Sequence, residues 1–594
     1  MSAKIDRGGP FLRLILNLWN HLSRRRKTQL LLILVIMPMA AIAELLSFGA
    51  LLPLFAFLIN PNELFQYGYV ERIAGIFHIK KVEQLEAPLL IVFITVVVFV
   101  AIFRIGLLWI LTKVAFGCGT DLTDKVYKTV LHLPYISHIK THSSSLITGI
   151  SGKVAGTANI ILHILLLLNA VVLSLFIVGA MLFFYPLVTT ISIFLLGVLY
   201  FSIGRISKKR LQINSAQISS QSEKITKSIQ DGLGAIRNIL IDGTQNIFTS
   251  QHHEADIALR KAQCSNNIIA ASPRYVIEAS LIILIAIGGF IFSKQPGGLL
   301  GMLPMIGMLL LVVQRLLPNI HQIYVTWAYI SGMQASICDA LDLLNQAMPN
   351  VNENFLQHKL EYKQKLEMKS VCFRYSNNTP MVLENVSLLI PSGSRVGIVG
   401  TTGSGKSTLL DILMGLLTPT SGQIKVDGQS IDSREFMRLQ KIIAHVPQTV
   451  YITDASLAEN IAFGVPLHEI DMQQIRCVAQ KAKISEFIEG LKEGYATLAG
   501  ERGSRLSGGQ KQRIGIARAL YKGAKILMFD EATSALDDAT EKSVMDAIGD
   551  LGRDITIIFI SHRIFTLEIC DLIFKIENGH LTEIRNKFFP TNSE

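Results

Sequence analysis

The sequence predicts an all-α transmembrane domain of six helices fused to a separate α/β domain. Two observations lead to this prediction. Half of the 594 residues are hydrophobic and only 17% are charged, so the chain is more apolar than an average soluble protein. The apolar excess is confined to long runs before about residue 335, and beyond this point short strands, glycine-rich turns and helices alternate.

Six apolar runs are each long enough to cross about 30 Å of hydrocarbon as a helix. We predict these spans at residues 29–59, 88–111, 158–184, 187–204, 275–292 and 299–325. Basic clusters at residues 24–27 and 208–210 adjoin the first and fourth spans, and such clusters mark the cytoplasmic side. We therefore expect a multi-pass protein of the inner (plasma) membrane with both termini in the cytoplasm.

The segments between the spans predict the domain organisation. Residues 112–157 and 205–272 are long, polar and helix-forming, so their helices are expected to project into the cytoplasm. Segments 133–137 and 232–237 are candidates for short helices that dock on the α/β domain. The predicted order is an interfacial helix within residues 1–28, a transmembrane domain at 29–344, a linker at 345–366 and the α/β domain at 367–590.

The first external segment carries apolar residues at helical spacing between Leu64 and Phe77. This spacing predicts a short amphipathic helix at residues 62–80 on the outer membrane surface. A partly ordered loop is the alternative.

The net charge of +11 would point to nucleic acid in a soluble protein. Here the basic clusters lie beside predicted spans, and the sequence offers no aromatic and basic surface for reading bases. No nucleic-acid partner is therefore expected.

The strand-like run Arg395–Val399 leads into a glycine-rich loop, and a helix is predicted to follow. This strand–loop–helix context is the one that a phosphate-binding loop requires, because backbone N–H groups and the helix N-terminus favour an anion. Lys406 is expected to reach the β- and γ-phosphates of ATP, and the Ser407 hydroxyl to bind Mg²⁺. The loop residues expected to contact ATP are Gly400, Thr401, Thr402, Gly403, Ser404, Gly405, Lys406, Ser407 and Thr408.

A second apolar run ends in two carboxylates, Asp530 and Glu531. Asp530 is expected to hold the magnesium ion, directly or through water. Glu531 is placed to act as the general base that polarises the attacking water. A further motif, Leu506-Ser-Gly-Gly-Gln510, precedes a helix-like run, and small residues at a helix N-terminus again suit a phosphate.

Together these motifs resemble the nucleotide-binding domain of the ATP-binding cassette (ABC) family, whose signature is Leu-Ser-Gly-Gly-Gln. The resemblance implies a P-loop nucleotide-binding domain in which Ser507, Gly508, Gly509 and Gln510 of one subunit cap ATP held by the other subunit. Six spans and one fused domain resemble the exporter-type half-transporters of this family, so a homodimer that hydrolyses ATP is expected.

The same resemblance implies roles for three more residues. Tyr375 resembles the aromatic residue that stacks on adenine. Gln448 resembles the glutamine that senses magnesium and contacts the membrane domain, and His562 resembles the histidine that contacts the γ-phosphate and steadies Glu531. Residues 500–503 and 534–537 resemble segments that meet the membrane helices and the partner subunit.

Charged residues inside predicted spans are costly and are candidates for substrate contact. These residues are Glu44, Arg104, Arg274, Glu278 and Arg315. The arginines are suited to grip an anionic headgroup such as a polyprenyl pyrophosphate. The alternative is structural, with Glu44 or Glu278 paired with an arginine and the other arginines extended to the inner interface.

The first span and the external segment resemble bacterial flippases of lipid-linked oligosaccharides. We therefore expect ATP-driven export or flipping of an amphipathic substrate, most specifically a lipid-linked oligosaccharide or glycolipid. A multidrug or lipid A type exporter is the main alternative. A soluble cassette ATPase of repair or translation is a different class of function, and the six spans argue against it.

Overall fold

The computed structural model describes residues 11–50, 86–184, 186–292, 298–346, 360–432, 435–532, 538–561 and 564–584. The predicted external helix at 62–80 and much of the predicted linker lie outside these ranges. The chain divides into two compact units. The first comprises Met1–Leu133 and Thr141–Met348, and the second comprises Pro134–Lys140 and Pro349–Glu594.

The described part of the first unit is helical throughout. Its α-helices are α1 (Phe11–His21), α2 (Arg24–Gly49), α3 (Glu86–Leu131), α5 (Ser143–Ile147), α6 (Thr157–Phe184), α7 (Pro186–Gly234), α8 (Ile236–Asp242), α9 (Gln245–Phe292), α10 (Gly298–Gly332) and α11 (Gln334–Leu344). A π-helix, Thr148–Val154, lies between α5 and α6, and α4 (Tyr135–Lys140) belongs to the second unit.

Four helical segments in the described part of the chain are long and apolar enough to cross a membrane. They are Arg24–Ser47, Ala87–Leu131, Ser143–Phe183 and Thr189–Gly234, and they contain most of the described parts of the first four predicted spans. The fifth and sixth predicted spans fall within α9 and α10, and many of the side chains there lie outside the described set. The count of six therefore stays a prediction.

Helix α3 is long enough to cross a membrane and extend beyond it. Helix α3 has 46 residues, which at 1.5 Å per residue is about 70 Å, more than twice the hydrocarbon thickness. Its apolar residues Ile91, Phe99 and Ile102 are largely exposed, as a lipid-facing surface requires. Its other end is polar, in agreement with the predicted cytoplasmic projection.

The N-terminal helices pack onto α3 and α6 through one hydrophobic core. Leu14, Leu18 and Leu22 follow one face of α1 and its C-terminal end at four-residue spacing, and all three are buried. At the start of α2, the Arg26 guanidinium donates to both carboxylate oxygens of Asp121 on α3, at 3.0 and 3.1 Å. The helix predicted near the N-terminus is formed, and its position at the membrane interface stays a prediction.

The second unit contains two sheets. A four-stranded antiparallel sheet has the order β2-β1-β4-β5, and a six-stranded sheet has the order β10-β9-β3-β8-β7-β6. The strands are β1 (Lys365–Phe373), β2 (Leu383–Pro391), β3 (Arg395–Val399), β4 (Ser421–Val426), β5 (Gln429–Ile431), β6 (Ile443–Val446), β7 (Ile526–Asp530), β8 (Thr556–Ile560), β9 (Leu572–Glu577) and β10 (His580–Ile584).

The six-stranded sheet is parallel except at its β10 edge, which confirms the predicted α/β domain. Alternate residues of β7 face two different cores: Ile526 and Met528 pack in one, Leu527 and Phe529 in the other. Burial on both faces explains why the sequence of this strand is a continuous apolar run. The separate antiparallel sheet was not predicted.

The helices of the second unit cover these sheets. They are α4, α12 (Lys406–Leu413), α13 (Phe436–Ile442), α14 (Leu457–Ile461), α15 (Met472–Lys481), α16 (Ser485–Glu489), α17 (Gly508–Tyr521), α18 (Asp538–Gly549) and α19 (Ile564–Glu568). Ile136 of α4 packs against the same core as Tyr375. This contact agrees with the prediction that segment 133–137 docks on the α/β domain.

Candidate functional site

The phosphate-loop motif lies at the carboxyl end of β3, a central strand of the parallel sheet. The loop ends at Gly405, the N-cap of α12, which has a left-handed φ of 107°. A Cβ on Gly400 would lie 2.4 Å from the Ile576 carbonyl oxygen. Glycine is therefore required at Gly400 by close backbone approach and is favoured at Gly405 by conformation.

Lys406 is the first residue of α12, and its side chain turns back over the loop. Its ammonium donates hydrogen bonds to the carbonyl oxygens of Gly400, at 2.7 Å, and Thr401, at 3.0 Å. The residue is 7% exposed, so the loop holds a buried positive charge at the N-terminus of a helix. This combination is suited to an anionic phosphate.

Two more site segments follow neighbouring parallel strands. Asp530 ends β7, and Glu531 follows it with a left-handed φ of 46°. Gln448 comes shortly after β6, and its side-chain amide donates to a Glu531 carboxylate oxygen at 3.4 Å. The structure therefore brings Gln448 and Glu531 together, as their predicted roles require.

The carboxylates form a region of excess negative charge. Burial raises the pKa of Asp530, and the nearby Glu531 charge raises it further, while Lys406 opposes both effects. Asp411, one turn into α12, was not identified from the sequence. Burial, with a smaller contribution from Asp530, raises the pKa of Asp411 to about 6. A bound cation would relieve this repulsion.

The Leu506–Gln510 motif opens α17 with a capping box. The Ser507 hydroxyl accepts from the Gln510 backbone N–H, and the Gln510 side-chain oxygen accepts from the Ser507 N–H. In the described part of the chain, no hydrogen bond or ion pair joins residues 507–510 to residues 400–408.

Gln512 is a further site residue that sequence reasoning missed. Its side chain is 5% exposed, and its amide donates to the Gln448 carbonyl oxygen at 2.6 Å. It therefore fixes the backbone of the residue whose side chain contacts Glu531. Gln512 could have been identified from its position two residues after the signature glutamine, on the buried face of α17.

Tyr375 is half-buried, beside the phosphate-loop helix. Its hydroxyl lies 3.0 Å from the Thr408 hydroxyl, and its ring packs edge-on against Phe373 at 5.0 Å. Thr401, Thr402, Gly403 and Ser407 are exposed, while Ser404 and Thr408 are buried. His562 and residues 534–537 lie outside the described residues.

A second candidate site lies among the spanning helices of the first unit. Residues of α2, α3 and α6 line a cavity of about 270 Å³ with one polar region, formed by Glu44, Arg104 and Asn169, and otherwise mostly aliphatic walls. Glu44 is 8% exposed and accepts a hydrogen bond from the Arg104 guanidinium at 3.4 Å. Asn169 was not identified from the sequence.

The other intramembrane charges are placed differently. Arg274 donates to Glu278 one turn further along α9, at 2.8 Å. Both Glu44 and Glu278 are thus paired with an arginine, as the structural alternative predicted. The Arg274 and Arg104 side chains remain more than half exposed, so pairing does not bury them. The Arg315 side chain lies outside the described set.

Comparisons with known proteins agree with this site. A family model described as ABC transporter matches residues 383–534, and one described as ABC transporter transmembrane region matches residues 51–317. A solved structure of a bacterial Atm1-family ABC exporter with ATP bound has the same fold, with a TM-score of 0.74, 22% identity and 94% of both chains covered. The chain belongs to the ABC transporters, and its second unit is an ABC transporter ATPase domain.

Three relatives show how the similarity is distributed. The chain is 33% identical over 64% of its length to the heterocyst differentiation ATP-binding protein HepA of Nostoc sp., and 61% of that protein is covered. It is 43% identical over 42% of its length to the ATP-dependent lipid A-core flippase of Saccharophagus degradans, 42% of which is covered. The flippase of the same name from Haemophilus influenzae is 28% identical over 81% of both proteins.

The raised pKa of Asp411 predicts a pH-dependent effect of Asp411→Asn. An acid whose folded pKa lies above its unfolded value loses stability as pH rises from the unfolded pKa of 3.8 to about 6. The variant lacks this loss, so at pH 7.5 its melting temperature should exceed that of the wild type by about 2–4 °C, allowing for partial exposure. At pH 4.5 the difference should shrink to about a third of this, because the folded Asp411 carboxyl is still mostly protonated there while the unfolded one is mostly ionised.

Thermal unfolding of the full-length protein in detergent, without nucleotide, measures this difference. Asp546→Asn, on an exposed face of α18, is the matched control and should shift neither melting temperature. An equal gain for Asp411→Asn at both pH values would contradict the assignment.

The Gln512 hydrogen bond predicts a kinetic effect of Gln512→Ala. Without this donor the Gln448 loop loses a buried contact, and kcat for ATP hydrolysis should fall about 5- to 10-fold with a smaller change in KM for ATP. Gln440→Ala is the matched control, because it removes a similar bond to the Gly415 carbonyl oxygen at 3.0 Å. Equal loss of kcat in both variants would show that Gln512 has no specific role.

Proposed function

We propose that this chain is one half of a homodimeric ATP-driven exporter of the inner membrane. The proposed subunit has six spans and cytoplasmic termini. One observation carries the proposal: the buried ammonium of Lys406 and the carboxylates of Asp530 and Glu531 follow strands β3 and β7 of a single parallel sheet. That arrangement is suited to hydrolysis of ATP, and the same chain carries long apolar helices that require a membrane.

In the proposed ATP site, Lys406 and the loop N–H groups bind the phosphates, and Tyr375 stacks on adenine. The donors near the phosphates fit Mg²⁺, because the Ser407 hydroxyl, the Gln448 amide and the Asp530 carboxylate are hard oxygen ligands. The raised pKa of Asp530 supports this fit, since excess negative charge there is offset by a divalent cation. Bound there, Mg²⁺ would neutralise charge on the β- and γ-phosphate oxygens.

Glu531 is the proposed general base. Its hydrogen bond with Gln448 holds the carboxylate at the end of β7, where it can accept a proton from water that attacks the γ-phosphate. His562 follows β8 in the sequence and is proposed to contact the γ-phosphate and steady Glu531.

The signature motif of a second copy would complete each site. Ser507 to Gln510 form no hydrogen bond or ion pair with residues 400–408 in the described part of this chain, which supports a site shared between subunits. ATP then closes two ATPase domains on each other, the cytoplasmic helices transmit this motion, and the spanning helices open outward. Hydrolysis returns the dimer to its starting state.

The substrate we propose is a glycolipid or lipid-linked oligosaccharide with an anionic headgroup. The cavity at Glu44, Arg104 and Asn169 combines charged and amide groups with aliphatic walls, which suits an amphipathic molecule. Arg274 and Arg315 are proposed to add positive charge on the transport path.

The proposal covers two types of substrate, a lipid A type glycolipid and a polyprenyl-pyrophosphate-linked oligosaccharide. The relatives named ATP-dependent lipid A-core flippase favour a lipid A type cargo, and the intramembrane arginines are equally suited to a polyprenyl pyrophosphate. ATP hydrolysis by the protein in reconstituted vesicles should be stimulated by lipid A-core or by a lipid-linked oligosaccharide, and not by drug-like cations. Stimulation by the cations alone would favour a multidrug exporter.

The proposed base predicts the behaviour of Glu531→Gln. The variant should bind ATP and accumulate as a nucleotide-bound dimer, while turnover falls by at least about 100-fold because general-base catalysis is lost. Single-turnover hydrolysis and size-exclusion chromatography measure both effects. Glu489→Gln, at the end of α16, is the control and should leave turnover unchanged. Undiminished hydrolysis in Glu531→Gln would remove this residue as the base.

The proposed headgroup contacts predict a separation of transport from ATP hydrolysis. Changing Arg104, Arg274 or Arg315 to Gln should reduce transport about tenfold, while basal hydrolysis changes less than about twofold. Arg260→Gln, on an exposed part of α9, is the control. Equal loss of transport and hydrolysis would favour a purely structural role for these arginines.

A further inference from the structure

A buried ion pair connects three helical elements of the first unit. The Lys153 ammonium lies 2.7 Å from a carboxylate oxygen of Asp339 and 4.0 Å from a carboxylate oxygen of Glu223. Ser219 donates a further hydrogen bond to the same Asp339 oxygen. The Lys153 side chain is only 9% exposed and that of Asp339 only 16%.

Two of the three elements adjoin a point where the chain crosses between the units, and the third, α7, lies wholly within the first unit. Lys153 lies in the π-helix, shortly after the chain leaves α4 and re-enters the first unit at Thr141. Asp339 lies in α11, shortly before the chain enters the second unit at Pro349. Ser219 and Glu223 lie in α7, which continues to the break between α7 and α8.

Close packing makes this junction stiff. A Cβ on Gly149 of the π-helix would lie 2.6 Å from a methyl carbon of Leu343 on α11, so the two elements touch without a gap. At the start of α11, the Ala335 N–H donates to the buried Ser215 hydroxyl of α7 at 2.9 Å. A displacement of α11 is therefore passed to both neighbours.

Stability alone does not explain a buried ion pair at this place. Desolvation of both charges offsets most of their attraction, and well-packed apolar residues of similar volume usually serve stability as well or better. Fixing the register between elements is the best-attested use of such pairs. π-helical turns are also concentrated at functional sites.

We propose that Lys153 and Asp339 are positioning residues that couple ATP hydrolysis to transport, by holding the π-helix and α11 in one register. When the second unit moves, the pair causes the chain connections at Thr141 and Pro349 to displace the spanning helices together. This inference rests on the proposed ATP-driven transport. It requires that, without the pair, ATP is still hydrolysed at close to the wild-type rate but less substrate is transported for each ATP hydrolysed.

The test uses the full-length protein in vesicles, with fluorescent lipid A-core and a fluorescent lipid-linked oligosaccharide as transport probes. The quantity measured is the ratio of ATP hydrolysed to probe transported. Lys153→Met and Asp339→Asn remove one charge each, and Lys153→Arg conserves the charge. Arg260→Met breaks an exposed pair with Asp256 on α9 and is the matched control.

Loss of either charge should raise the ratio about 2- to 30-fold, while Lys153→Arg and the control stay near the wild-type value. Ratios in Lys153→Met and Asp339→Asn equal to that of the control would overturn the inference. Where a single variant fails to fold, the apolar pair Lys153→Met with Asp339→Leu replaces it, since such exchanges preserve folding. A wild-type ratio in that double variant would also overturn the inference.

Failure of the proposed function gives a different result. In that case the wild-type protein itself transports neither probe in an ATP-dependent manner, and no ratio can be defined for any variant.

Discussion

The order of the parallel strands is the constraint on which the ATP site depends. Strand β3 lies beside β8, β8 beside β7 and β7 beside β6, so their carboxyl ends meet at one edge of the sheet. The phosphate loop, the carboxylates and Gln448 follow three of these strands. The sheet itself therefore brings together residues that are far apart in the sequence. In parallel sheets of this kind, ligands bind at the edge formed by the carboxyl ends of the strands.

The residues at this edge form only part of the proposed ATP site. Lys406 is proposed to supply positive charge to the phosphates. The signature motif caps its own helix and, within the described chain, makes no hydrogen bond or ion pair with the loop. In the proposed homodimer, ATP binding and subunit association are one event, because each subunit supplies the part of the site that the other lacks. Under this proposal, dimer closure moves the spanning helices through elements such as α4, α11 and the π-helix.

Sequence reasoning found the parts of the site that are local and missed those that depend on packing. The loop at 400–408, the carboxylate Asp530 and the helix that begins near Ser507 follow from short continuous motifs in the sequence. Gln512 and Asp411 have polar side chains on ordinary helical positions, and only the fold shows that one reaches Gln448 and the other approaches Asp530. The pairing of Arg104 with Glu44 depends on the packing of α2 on α3, whereas Arg274 and Glu278 are one turn apart on α9. Substrate contact by the predicted intramembrane charges stays a prediction. The pair Lys153–Asp339, separated by 186 positions, gave no signal in the sequence.

The central claim, that each ATP site is shared between two subunits, is tested most directly with mixed dimers. One form carries Lys406→Ala in one subunit and Ser507→Arg in the other; the second form carries both changes in one subunit beside a wild-type partner. A shared site leaves one intact site in the first form and none in the second, so only the first should hydrolyse ATP above background. Activity confined to the second form would contradict the account, because it would place each complete site within a single chain.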